Sequence, residues 1–206
     1  MYERLLEIFP TLNDQSETFI RRAIALAEMN MGINLARLGR FEQAYHALQR
    51  AREGFDSLGE TSQSVNTEIQ LAGLDFNRGY YGSALRRYYQ AQDILLQNDI
   101  KIPNLLTLLK QYMANTLLKL NKVHEACELA YQGVELCRQQ GSSLWTSQAL
   151  REYATIVVAS GRLEEAVGVL NEAWVLFNQG GFDHHASATK LQQAEIQLEM
   201  GSVVEA

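Results

Sequence analysis

Two short stretches hold the residue types that catalysis and metal binding draw on. In "HEAC", His124 and Cys127 stand three apart, which places both on one face of a helix, where a base can meet a thiol or two ligands can meet an ion. Neither device is completed. No second ligand pair with metal spacing follows, no glycine-rich turn supplies an oxyanion site, and Cys127 adjoins Ala126, which a repeat pattern described below marks as a packing position. Cys127 therefore reads as a structural thiol. In "FDHHA" the histidines His184 and His185 are adjacent and would point about 100° apart on a helix, so they do not converge on one ion. Asp183 reads as the N-cap of the helix that follows, with the two histidines solvated. Neither a phosphate-cradling glycine loop with its lysine nor a serine nucleophile elbow is present. These readings give no catalytic residue, no metal site and no cofactor.

A third stretch, "GYYGSALRRYYQ", carries four tyrosines and invites comparison with a base-stacking platform. Tyr81 and Tyr88 fall on packing positions of the same repeat, which leaves Tyr80 and Tyr89 as surface contacts. The formal charge of −6 and a pI near 5.3 disfavour a nucleic-acid binder, because phosphate contacts require clustered Lys and Arg. "MYERLLEIFP" places Glu3 and Glu7 within its apolar run, unlike a signal peptide, and no run approaches the ~20 apolar residues of a membrane span. Cys127 and Cys137 fall on one predicted helix, roughly 15 Å apart at ~1.5 Å per residue, too far for a disulfide. Free thiols of this kind point to a reducing, cytoplasmic compartment.

The elements that position these residues emerge from internal spacing. Only two prolines occur, Pro10 and Pro103, so the chain is free to be helical. Alanines recur at Ala44, Ala84, Ala126, Ala166 and Ala206, at intervals of 40, 42, 40 and 40. Twelve residues before each lies another small residue: Gly32, Ala72, Ala114, Ala154 and Ala194. Between the two stand helix breakers, Gly39, Gly79, Asn121, Gly161 and Gly201, residues that tolerate the left-handed conformation past a helix end. An apolar residue follows each break by two positions: Phe41, Tyr81, Val123, Leu163 and Val203. Each unit is thus a predicted helix hairpin. The small residues let helix axes approach to the usual 8–10 Å, and the units must stack because one hairpin cannot bury both its faces.

This order of small residue, break, apolar residue, alanine, bulky residue and alanine resembles the tetratricopeptide repeat (TPR) over residues 16–206. The period of 40 to 42 residues is longer than that family's 34, so longer helices are expected. In that respect the chain resembles the arrays of kinesin light chains, of maltose-activator-type transcription regulators and of TPR proteins joined to caspase-like CHAT domains. The resemblance implies an all-α α-solenoid of antiparallel helix hairpins, a TPR-like right-handed superhelix.

The expected organisation is a leading helix and linker over 1–15, then units at about 16–58, 61–98, 103–140 and 143–180, with a partial unit at 183–206. Asp14 with Glu17 forms a candidate capping box, and Pro103 suits the first position of its helix. The short stretch after Gly201 suggests a fragment of a longer protein, whose open C-terminal end, with Ile196, Leu198, Val203 and Val204, offers a route to self-association.

In proteins of this kind successive first helices line a concave wall that holds a peptide or a partner helix. Carried onto this chain unit by unit, the resemblance assigns partner-binding roles to Asn66, Phe76 and Asn77, to Gln111, Asn115 and Lys119, and to Gln148, Arg151 and Thr155. Met29, Ile33, Arg37, Ile69, Leu118 and Val158 fall on the same wall. Amides suit an extended peptide backbone, and Lys119 and Arg151 suit a carboxylate. The lysine and asparagine of the family's chaperone-tail clamp are missing from the first unit, where Met29 and Ile33 stand. The expectation is a non-enzymatic protein- or peptide-binding scaffold or sensor of a larger bacterial signalling protein, with no nucleic acid or membrane bound by this segment. The alternative is the regulatory array of a CHAT protease or an ATP-dependent transcription regulator, inactive alone.

Overall fold

The computed structural model describes residues 14 to 98 and 105 to 204, with the side chains at 14, 15 and 202 to 204 left aside. The leading segment, the Asp14 side chain of the capping box, Pro103, and the side chains of Val203, Val204 and Ala206 therefore lie outside the described residues. Every regular element among the described residues is a helix: α1 (Asp14–Arg37), α2 (Phe41–Ser57), α3 (Thr61–Asn77), α4 (Tyr81–Gln97), α5 (Leu105–Lys119), α6 (Val123–Gln139), α7 (Ser143–Ala159), α8 (Leu163–Gln179) and α9 (Asp183–Val204). The fold is all-α. Two compact units divide it, residues 1 to 101 with α1 to α4 and residues 102 to 206 with α5 to α9.

Most helices are 17 residues long and are joined by three-residue turns. The turn residue takes a left-handed φ, +73° at Gly39, +81° at Gly79, +59° at Asn121 and +79° at Gly161. Gly59, Gly141 and Gly181 do the same at +67°, +70° and +72°, so the device that closes a hairpin also joins α2 to α3, α6 to α7 and α8 to α9. Except at Gly141, the turn ends with a backbone bond back into the preceding helix, such as Arg40 N–H to Leu35 O at 2.9 Å and Lys122 N–H to Leu117 O at 2.9 Å. These bonds satisfy carbonyls that the helix end leaves over. The expected break at Gly201 is not made: α9 runs through it to Val204. Glycine permits a reversal without compelling it. Asp183 is likewise the first residue of α9 and not its cap, since Phe182 O already accepts the Ala186 N–H at 2.9 Å.

Within each unit the small residues lie where helices meet. Ala44, Ala72 and Ala84 in the first unit, and Ala114, Ala126, Ala154 and Ala166 in the second, are wholly buried. A Cβ placed on Gly32 would lie 2.7 Å from Leu48 Cγ, so α2 packs on α1 with no room for a methyl at this position. Around this contact the core of the first hairpin collects Ala25, Met29, Leu48, Ala51, Phe55, Leu71 and Leu74. In the second unit Leu109, Met113, Val134, Leu150, Ile156, Leu170 and Phe177 fill the same role. Burying one such side chain stabilises by about 1.5–3 kcal/mol, which only stacked hairpins can collect.

Candidate functional site

In the second unit the first helices of successive hairpins, α5, α7 and α9, lie side by side. Turn by turn they bring Gln111, Trp145, Gln148, Arg151, Glu152 and His185 to the walls of one pocket of about 240 Å³. Residues three, four and seven apart share a helix face, which is why Trp145, Gln148 and Glu152 of α7 point into the same space. Arg151 Nε donates to Gln192 Oε1 at 3.4 Å, and Gln192 Nε2 donates to Thr155 Oγ1 at 3.2 Å. Thr155 in turn donates to the Arg151 carbonyl at 3.2 Å. Gln192 thus ties α9 to α7 and holds the guanidinium in place. The His185 ring stacks on Phe177 at 5.2 Å and closes one side. The result is a small, amide-rich recess with one cation, one carboxylate and an indole, equipped for hydrogen bonding and charge recognition and holding no nucleophile with a base.

Of the residues assigned from the sequence, Gln111, Gln148 and Arg151 are brought together here, with Thr155 joined through Gln192. Asn115 is half-buried and Lys119 exposed; neither lines this recess. In the first unit Asn66 is half-buried and Asn77 exposed. Phe76 packs edge-on against Tyr81 at 5.3 Å, so its ring serves the hairpin turn. Met29 and Ile69, expected on the wall, are 8% and 4% exposed and belong to the core; the Thr67 hydroxyl reaches Met29 Sδ at 3.5 Å, because α3 packs on α1 there. Trp145, Glu152 and Gln192 carried no binding assignment, and His185, expected to be solvated, is instead half-buried against Phe177 at the edge of the recess. Their signal is that they occupy the wall-facing turns of α7 and the same level of the following helix.

A polar cluster inside the first unit also escaped the sequence reading. Glu68 and Asp75 on α3 are both 6% exposed. Glu68 pairs with Arg52 of α2 at 2.7 Å and with Arg87 of α4 at 2.6 Å, and Arg87 also reaches Asp75 at 2.9 Å. Ser83 donates to Asp75 at 2.7 Å. Burial lowers the pKa of Arg87, but hydrogen bonds and charge from Glu68 and Asp75 outweigh it, so the guanidinium is held more firmly protonated than usual. The cluster joins three helices. Its only trace in the sequence is two carboxylates in the otherwise uncharged run "VNTEIQLAGLDF".

The motifs weighed for catalysis take ordinary places. His124 is 88% exposed and pairs with Glu128 at 3.3 Å, not with Cys127. Cys127 is buried and accepts from Arg162 Nη2 at 3.0 Å, while Arg162 also holds Glu165 at 2.9 Å. Cys127 and Arg162 share a pocket of about 610 Å³ with Tyr131 and Tyr153. Burial, helped by a hydrogen bond from its hydroxyl to Glu165 at 3.1 Å, pushes the Tyr153 phenol up to about 12. Cys137 is buried beside Thr107, and that burial pushes its thiol up. Tyr88 is 3% exposed, whereas Tyr80 and Tyr89 are open to solvent, matching the division between packing and surface tyrosines. Among the described residues no group of three metal-ligating side chains forms and no helix is long and apolar enough to cross a membrane.

With this geometry in hand, the chain matches the family model described as the MalT-like TPR region over residues 12–206. No curated protein matches it. Among solved structures it is similar to a kinesin light chain of TPR-like repeats from Podosopora anserina, at TM-score 0.62 and 16% identity over 88% of this chain and 98% of that one. It is also similar to apo RapI, at TM-score 0.72 and 13% identity over 95% and 68%. BtubC from P. vanneervenii gives TM-score 0.70 and 14% identity over 97% and 87%. At such identities these structures establish the fold, an α-solenoid of TPR-type hairpins.

Proposed function

The chain belongs to the MalT-like TPR region family, and from that membership we propose that it is a non-enzymatic protein- or peptide-binding module, the scaffold or sensor region of a larger bacterial signalling protein. The observation that carries this reading is the recess of the second unit, where Gln111, Gln148 and Arg151 converge from two first helices beside His185 of a third. An extended peptide presents unpaired amides and carbonyls, which glutamines answer with both donors and acceptors. Its acidic side chain or terminal carboxylate suits Arg151, held ready by Gln192. A similar fold in a Rap protein was solved in complex with the Competence and Sporulation Factor, at TM-score 0.56 and over 56% of that chain. That complex supports a peptide as the class of partner. Asn66, Asn77, Asn115 and Lys119 are proposed as outlying contacts.

The family match favours, as the second reading, the regulatory array of an ATP-dependent transcription regulator over that of a CHAT protease. Both readings meet one test. A random peptide library is panned against the full chain, and the selected peptides are titrated against Arg151→Glu and Gln148→Ala. The proposal expects enrichment of acidic peptides and at least tenfold weaker binding to Arg151→Glu, in keeping with loss of a charge-assisted contact worth about 1.5–3 kcal/mol. Peptides that bind Arg151→Glu unchanged would reject the recess as the site.

A further inference from the structure

We propose that the recess of the second unit takes a free α-amino acid with an aromatic or large aliphatic side chain. The inference rests on the reading of this recess as the binding site and names a second, smaller class of ligand for it. It starts from two opposite charges that the fold leaves unused. Among the described residues, Glu152 has no hydrogen-bond or ion-pair partner, and the Arg151 guanidinium is engaged only through Nε, which donates to Gln192 at 3.4 Å. Both side chains line the recess.

As neighbours on α7, Arg151 and Glu152 leave the helix about 100° apart, an arrangement that sets them along the recess wall instead of against each other. A zwitterion answers both. Its α-carboxylate suits the two open Nη groups of Arg151, whose planar fork matches a carboxylate, and its α-ammonium suits Glu152, which can only accept when ionised. The two ends of a longer peptide do not meet this pair together. An extended residue spans about 3.3–3.6 Å, so the termini of a pentapeptide stand roughly 17 Å apart, against about 3.8 Å between the Cα atoms of adjacent residues. A free amino acid carries both charges on one Cα.

Size and lining narrow the ligand further. The recess holds about 240 Å³, below the roughly 300–1,000 Å³ of pockets that enclose a drug-sized molecule, and so suits a single residue. Beside the charged pair its wall is the Trp145 indole with Leu108 and Ala149. That apolar surface suits an aromatic ring, which gains both burial and ring contact there, or a large aliphatic side chain.

The probe is L-phenylalanine, titrated calorimetrically into the full 206-residue chain with tryptophan fluorescence followed in parallel. Saturable binding is expected. N-Acetyl-L-phenylalanine, which lacks the ammonium, and L-phenylalaninamide, which lacks the carboxylate, should each bind at least about tenfold more weakly, the order of one charge-assisted contact. Glu152→Gln should weaken L-phenylalanine by a similar factor and leave N-acetyl-L-phenylalanine as it was. Trp145→Phe should abolish the fluorescence response although Trp174 remains, and L-phenylalanine should displace a peptide held through Arg151. The inference is overturned if L-phenylalanine shows no saturable binding at millimolar ligand, if neither cap weakens it, if Glu152→Gln leaves its affinity unchanged, or if it binds without displacing the peptide. Peptides that bind through Arg151 while L-phenylalanine does not bind would sink this inference and spare the peptide reading. L-Phenylalanine bound with both cap effects while no peptide is selected would uphold this inference and remove the peptide reading.

Discussion

Gly32 and Gly168 invite the same substitution with opposite outcomes. Both are helical, Gly32 inside α1 and Gly168 inside α8, so replacing either with alanine gains about 1 kcal/mol of helix propensity. Around Gly168 nothing lies within 4 Å of the added methyl, and the gain should appear in full. At Gly32 the methyl would sit 2.7 Å and 2.9 Å from Leu48 Cγ and Cδ2 and 3.2 Å from the Ala44 carbonyl oxygen. Carbon atoms prefer roughly 3.5–4.0 Å. Leu48 is 1% exposed and so cannot swing out into solvent. Overpacking of this kind costs about 1–3 kcal/mol, so Gly32→Ala should be destabilising by about 1 kcal/mol net of propensity. The two variants should then differ by about 2 kcal/mol with opposite signs. Urea unfolding followed by circular dichroism measures the midpoints. Because stacked hairpins need not unfold in one step, hydrogen exchange should localise the loss to α1 and α2. If Gly32→Ala stabilises as Gly168→Ala does, the close contact between α1 and α2 is not present, and the argument for small residues at the helix crossings fails with it.

Three more outcomes follow from the same structure. Glu68→Gln leaves Arg52 and Arg87 facing an uncharged amide; breaking a buried pair costs about 3–5 kcal/mol, and with the arginines 35% and 20% exposed a loss of about 2 kcal/mol is expected after solvent screening, so an unchanged urea midpoint would refute a structural role for the cluster. Tyr153 keeps its proton to about pH 12 in the folded chain against 10.0 ordinarily; its raised pKa contributes stability in full below pH 10 that is lost as pH rises towards 12. Denaturation at stepped alkaline pH should therefore show a steeper decline for the natural chain than for Tyr153→Phe, and parallel curves would contradict it. Asn121 holds a φ of +59°; Asn121→Ala should lower stability by about 1–2 kcal/mol while Asn121→Gly leaves it nearly unchanged, as thermal melts would show.

Much of the architecture needed only short-range information. Gly39, Gly79, Asn121 and Gly161 mark turns because a positive φ is a property of the residue and its immediate neighbours. The alanines at 40- to 42-residue spacing mark helix crossings because a close approach excludes anything larger. Gly201 shows the limit of such signals: the same residue type in the same register stays helical, since glycine permits a reversal without compelling it. The candidate site was legible only in outline. Gln111, Gln148 and Arg151 were found from their places on first helices, but Trp145, Glu152, His185 and Gln192 join them through the lateral packing of α5, α7 and α9. Met29 and Ile69 were lost to the core by the same packing. The pairing of Glu68 with arginines on two other helices was equally unreadable. By itself the sequence determined which segments are helical and, Gly201 apart, where they reverse, because those choices are made within a few residues. Which side chains meet across helices, and therefore which recess can bind, was decided by tertiary structure alone, because those contacts depend on the relative rotation of elements about forty residues apart.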